Sequence, residues 1–209
     1  AQFYERAGYV DTLSGKQGSV TLIGAVSPQG GDFSEPVTQN TRRFVRCFWA
    51  LDKSLAYARH YAAINWNQST SEYINRSFLT LRAELQEILH EEDSLLEVVK
   101  LIGSDVLPED QKLLLEIARV VRVGYLQQNA FHPDDMSVPM EKQFKMMKVI
   151  DYLYRACKSK VEKHIPVSLI TKTGIFETVI KMKFDVPNNN IDLLDSYPEK
   201  IDEALNSIL

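Results

Sequence analysis

The sequence predicts a mainly α-helical protein, with a strand-containing part up to about residue 70 and helices from 71 to 209. Three observations carry this reading. Six of the nine glycines, at 8, 15, 18, 24, 30 and 31, fall in the first part, and only Gly103, Gly124 and Gly174 lie beyond it. Residues 18–28 form a β-branched and apolar run bounded by Gly and Pro, as a buried strand requires. From about Ser71 the apolar residues fall at three- and four-residue steps with polar residues between them, the spacing of one face of an amphipathic helix.

Taken in order, the strand at 18–28 is followed by a Gly/Pro/Ser/Asp-rich loop from Ser27 to Pro36, long enough to suggest more than a plain connector. Arg43 to Leu51, with Phe44, Val45, Cys47, Phe48 and Trp49, is a second strand candidate. Phe78, Leu81, Leu85, Ile88 and Leu89 mark a first helix, and Gly103 ends a second helical run. Leu107-Pro-Glu-Asp110 starts a third, with Pro at the first turn and acids where the helix dipole favours them; it carries Leu114, Ile117, Val121 and Tyr125. A fourth begins near Pro139 and sets Met140, Phe144, Met147, Ile150, Tyr154, Cys157 and Val161 on one stripe. Ser168–Phe184 and Pro198–Leu209 supply two shorter helices joined through the loop Pro187–Asn190. All these stripes, the methionines and Cys157 included, read as core.

The 209 residues are 44% hydrophobic and 25% charged, an ordinary globular composition that excludes disorder, collagen and a cysteine scaffold as whole-chain readings. A net charge of −4 argues against a nucleic-acid module with a large basic face. Cys47 and Cys157 lack partners at metal-ligand spacing; two free thiols fit best, one long-range disulfide being the alternative. No apolar run approaches the roughly 20 residues of a membrane span. The chain has no initiator Met and begins in what reads as the end of a helix, so the expectation is a piece of something longer.

Ser14-Gly-Lys-Gln-Gly-Ser19 superficially resembles a phosphate loop, but Val10 and Gln17 stand where that motif needs Gly and a hydroxyl, leaving a turn before a strand. His90-Glu-Glu-Asp93 lacks the second His of a zinc-protease helix, and His60, His132 and His164 are scattered. No self-contained catalytic constellation emerges. Three segments remain. Arg59–Trp66 concentrates aromatics that either stack on a planar ligand or anchor a core. Leu126–Pro133 places amides and an aromatic at a helix end, where amides also serve as caps. Gly103–Asp110 is an acidic interhelical loop.

These segments together carry a resemblance. Gly18–Asn40, with its Gly-Gly-Asp-Phe-Ser-Glu-Pro string, resembles the catalytic A subunit of the V-type and archaeal A-type rotary ATPases. So do Phe48-Trp-Ala-Leu-Asp52, Arg59–Trp66, Leu126-Gln-Gln-Asn-Ala-Phe-His-Pro133 and Glu141-Lys-Gln143, so the likeness spans nearly the whole chain in the right order. It implies the C-terminal part of that subunit: residues 1–70 as the tail of a RecA-like α/β nucleotide-binding domain and 71–209 as a C-terminal helical bundle.

The resemblance implies that Tyr61 and Phe131 line the adenine pocket, with Ala130 leaving room for the ring and Gln128 and Asn129 reaching its polar edges. The family more often has Phe where Tyr61 stands and Pro where Ala62 stands. It further implies that Asp105, Pro108, Glu109 and Asp110 bear on the central shaft, and that the loop with Gly31, Asp32, Phe33 and Glu35 lies near a neighbouring noncatalytic B subunit. ATP or ADP with Mg²⁺ is expected in the intact subunit, on the cytoplasmic face of a membrane reached only through the complex. No nucleotide is expected on the isolated chain, which lacks the phosphate-loop Lys and the Mg²⁺-binding hydroxyl that phosphoryl transfer needs. Rival expectations are a B subunit or F-type β subunit, and a free-standing helical interaction module. Strand edges left without partners would favour pairing of two copies.

Overall fold

The structure is a computed structural model that describes residues 2–72, 76–104 and 106–208, the side chains of Arg76, Ser77 and Ile102 excepted. The backbone separates into two compact units, Ala1–Ala50 with Gln68–Tyr73, and Leu51–Asn67 with Ile74–Leu209.

The first unit holds two short antiparallel ribbons and one helix. β1 (Gly8–Asp11) pairs with β2 (Gln17–Val20), Gly8 opposite Val20 and Asp11 opposite Gln17. Thr12 closes the turn, its amide and its hydroxyl both donating to the Lys16 carbonyl, at 2.8 and 2.7 Å. The strand expected over 18–28 is thus confined to Gln17–Val20 and is exposed instead of buried, with Ile23 beyond it 92% exposed. A two-stranded ribbon has no covering layer of its own, so its apolar residues stay in solvent. The second expected strand also contracts. α1 (Pro36–Phe44), opened by Pro at its first turn, takes up Arg43 and Phe44, leaving β3 (Cys47–Phe48) paired with β4 (Thr70–Ser71). Phe48 is the centre of the small core here, with the Phe33 ring edge-on at 5.8 Å and the Arg42 guanidinium 5.0 Å above it.

The second unit begins with α2 (Lys53–Tyr57) and is otherwise a helical bundle. α3 (Arg76–Ile102) is a single 27-residue helix, so the first and second helical runs of the sequence are one element, ended where Gly103 adopts φ 81°. α4 (Glu109–Val121) widens into a π-helical segment, Arg122–Leu126. α5 (Met140–Glu162) crosses the core, with Ile150, Leu153 and Cys157 fully buried. The helix expected over 168–184 is two, α6 (Val167–Lys172) and α7 (Ile175–Asp185), because Gly174 turns to φ 76° between them. A 3₁₀ segment (Ile191–Ser196) leads to α8 (Tyr197–Asn206), whose Ile201 seals the bundle.

The apolar stripes meet where their spacing puts them: Leu85, Ile88 and Leu89 of α3, Ile117 and Val121 of α4, and Val179 and Met182 of α7 share one core. Met140 departs from its stripe and is 58% exposed. Both cysteines are free, and burial pushes the Cys157 thiol up to about 12, which leaves it inert at neutral pH. Among the described residues no helix is long and apolar enough to cross a membrane.

Candidate functional site

Residues 51–66 form a closed loop on the helical unit. Leu51 and Ile64 bridge antiparallel, and the Asp52 amide donates to the Ala63 carbonyl at 2.9 Å. Asp52 also caps α2, its carboxylate accepting from the Ser54 and Leu55 amides at 2.7 and 3.3 Å, while Asn65 donates to the other oxygen at 3.0 Å. The Ser54 side chain and then Asn65 hold this carboxyl below the ordinary Asp range. The loop turns inward at His60, which is buried edge-on against Trp66 at 5.4 Å, and outward at Tyr61, which is 57% exposed. The aromatics of this segment therefore diverge: Trp66 packs against the core, while Tyr61 faces solvent.

The segment after the π helix meets this loop directly. The Gln128 amide donates to the Tyr61 carbonyl at 2.8 Å, and Gln127 Nε2 reaches the Arg59 carbonyl at 3.4 Å. Two sequence segments nearly seventy residues apart are thereby joined through their backbones. Beyond the junction Asn129 Oδ1 accepts from the Phe131 amide at 3.0 Å, an Asx turn that carries Phe131 outward until its ring is 98% exposed. Gln128, Asn129 and Ala130 are exposed beside it. The structure thus brings together all five residues expected at an adenine pocket, on one unit and with both aromatic rings free of the core.

What supports this loop was not foreseen. Lys183 is buried, and its ammonium donates to the carbonyls of Val123 and Gln127 at 2.8 and 2.6 Å, with Asp135 Oδ2 3.9 Å away. The same Asp135 oxygen accepts from the Asn129 amide at 2.7 Å. Lys142, fully buried, donates to the carbonyls of Lys183 and Asp134 and to Asn188 Oδ1, at 3.0, 3.3 and 3.0 Å. Asn188 closes the set, its amide donating to Asp134 Oδ1 at 2.8 Å and its side chain to the Ser137 carbonyl at 2.9 Å. Burial lowers both lysine pKa values from the usual 10.5, and the facing aspartates oppose the shift. The signal was present in the sequence: Lys142 lies four residues before Met146 and Lys183 four after Val179, each in register with an apolar stripe.

The other expected residues belong to other elements. Asp105 falls outside the described residues. Pro108 precedes α4, Asp110 is exposed, and the Glu109 carboxylate is engaged within the fold: it pairs with Lys112 at 2.9 Å and accepts from the Val167 amide at 2.7 Å. In the first unit Gly31 and Asp32 are exposed, Asp32 Oδ1 accepts from the Ser34 amide at 2.8 Å, Phe33 packs on Phe48, and Glu35 accepts from the Thr38 hydroxyl at 3.0 Å. Among the described residues no group of three or more His, Cys, Asp or Glu is placed to hold a metal ion. These described residues therefore offer no carboxylate cluster that fits a Mg²⁺ site.

Two family models match parts of this chain. Residues 1–71 match the nucleotide-binding domain of the ATP synthase alpha/beta family, and residues 67–170 the C-terminal domain of V and A type ATP synthase. Over its whole length the chain is 50% identical to the V-type ATP synthase alpha chain of Halothermothrix orenii, covering 37% of that protein. It is 52% identical to V-type ATP synthase alpha chain 2 of Clostridium tetani over 96% of its length, covering 36% of that protein. To the A subunit of the A-type ATP synthase of Methanopyrus kandleri it is 45% identical over all of its length, covering 38% of that protein. The chain therefore spans little more than a third of the length of these relatives. In fold it is similar to the ATP synthase subunit NeqB of Nanoarcheaum equitans, with a TM-score of 0.59 and 22% identity over 70% of this chain and 36% of that one.

Proposed function

Because the chain belongs to the V-type and A-type ATP synthase alpha (A) subunit family, in its C-terminal region, we propose that it supplies the adenine-facing wall of a split nucleotide site. In the intact subunit that site takes ATP or ADP. The observation that carries this is the backbone bond from Gln128 to Tyr61, which sets two solvent-facing aromatic segments side by side. Aromatic faces hold a base by stacking with little hydrogen-bond readout, and the small side chain of Ala130 leaves room for the ring. Phosphate contacts and the Mg²⁺ ligands belong to other residues of the subunit, and no step assigned to this chain passes through the ion.

Two further surfaces complete the reading. Pro108 and Asp110, with Asp105 and Glu109, make the contact with the central shaft, and Gly31, Asp32, Phe33 and Glu35 face the neighbouring B subunit. The whole assembly couples ATP hydrolysis or synthesis to movement of H⁺ or Na⁺ through a separate membrane sector, with this chain on the cytoplasmic face. Calorimetry with Mg-ADP tests the adenine wall. Phe131→Ala or Tyr61→Ala in the full-length subunit should weaken binding by about 5- to 150-fold, the range that loss of one base stack gives. This chain by itself should show neither tight binding nor ATP turnover, and turnover by it that a Tyr61→Ala change abolishes would overturn the reading.

A further inference from the structure

The helix that runs from α4 through the π segment ends at Leu126, directly before the exposed loop. A helix end leaves carbonyls without intrahelical donors, and a buried end must find them elsewhere. Here the donor is a side-chain ammonium from α7: Lys183 takes the Val123 and Gln127 carbonyls together. A cation at a helix C-terminus is favoured by the dipole, yet a buried ammonium still carries a desolvation cost that a methionine of similar length would avoid. What the lysine adds is direction. Its counter-ion Asp135 fixes the Asn129 amide, and Asn129 in turn fixes the Phe131 amide, so a continuous path of polar contacts runs from the buried ammonium to the exposed ring. Lys142 holds the far side of the same loop through the Asp134 carbonyl and the backbone of Lys183 itself.

We propose that Lys183, with Asp135, is a positioning residue for base recognition, setting where the Gln127–Phe131 loop presents its aromatic ring; this rests on the adenine-wall reading above. The role is directional, so it predicts a loss confined to the base. In the full-length subunit, Lys183→Met weakens Mg-ADP binding about tenfold while leaving Mg-pyrophosphate affinity unchanged. Hydrogen exchange at the Asn129 and Phe131 amides rises, whereas core amides such as Ile150 keep their protection. Asp135→Asn retains an acceptor and the volume, so it carries the test should Lys183→Met fail to fold, with a milder loss of about threefold for Mg-ADP alone.

Equal weakening of Mg-ADP and Mg-pyrophosphate in both variants would mean general destabilisation and overturn the positioning role. Phe131→Ala in the same titration separates the two levels of the reading. If Phe131→Ala weakens Mg-ADP and neither Lys183→Met nor Asp135→Asn does, the positioning role alone is lost. If Phe131→Ala leaves Mg-ADP binding intact, the adenine wall falls and base positioning falls with it.

Discussion

Burial, and then the charges of Arg122 and Lys183, hold the His60 imidazole below its ordinary 6.5. A group whose pKa is depressed on folding contributes stability that is present above the unfolded value and is lost as pH falls through the folded one. Glu92 acts in the opposite sense: burial raises its carboxyl above 4.5 against the pull of Arg122, its partner at 2.8 Å, so its share is present at acid pH and lost as pH rises. Comparing the protein with His60→Gln isolates the histidine, because Glu92 is common to both. In urea unfolding, the unsubstituted protein should lose stability relative to His60→Gln as pH is lowered from 7.5 to 5.5; parallel behaviour of the two would refute the assignment. Single residues were also where the sequence was hardest to interpret. Tyr61 and Phe131 could be singled out as candidates because their flanking strings are distinctive. Lys142 and Lys183 were not, since a lysine is ordinarily assigned to solvent even when it stands in an apolar register.

Among the elements, the π segment packs closely against α7. A methyl group on Gly124 would meet the Ile180 Cα at 3.0 Å, and that neighbour is backbone of α7 inside the core. Alanine gains about 0.5–1 kcal/mol of helix propensity over glycine, but forcing apart a packed pair costs about 1–3 kcal/mol. Gly124→Ala should therefore lower the unfolding free energy by roughly 1–2 kcal/mol, as read by urea unfolding followed by circular dichroism, and a gain in stability would contradict the close approach. Periodicity located α4, α5 and α8 well, because each buries one stripe along its length, but it divided α3 into two runs. It did not reveal the break at Gly174, where a left-handed φ of 76° separates α6 from α7, nor the π widening. The strands shortened for a different reason: β-branched runs indicate burial between layers, and no such layers form within the described residues of the first unit.

At the scale of the whole chain, what stands out is apolar surface left uncovered. Tyr9, Val10 and Val20 of the ribbon are 70%, 58% and 55% exposed, and β1 and β2 each keep one edge unpaired within their two-stranded sheet. Such edges pair readily with another chain. Sedimentation equilibrium of this chain alone should accordingly show reversible self-association that grows with concentration and weakens when Val10 or Val20 becomes lysine; a concentration-independent monomer would argue against it.

From Glu109 to Leu126 the backbone is helical without interruption, with Pro108 before it at one end and the exposed Gln127–Phe131 loop at the other. At about 1.5 Å per residue this is a strut of roughly 25 Å. A strut transmits angle instead of absorbing it: pivoting by about 10° displaces its far tip by roughly 4 Å, more than a hydrogen-bond length. Under the roles proposed above, a push at Pro108 and a nucleotide arriving beside Phe131 are two loads on a single lever, and the stiffness of that lever sets how much of one is felt at the other.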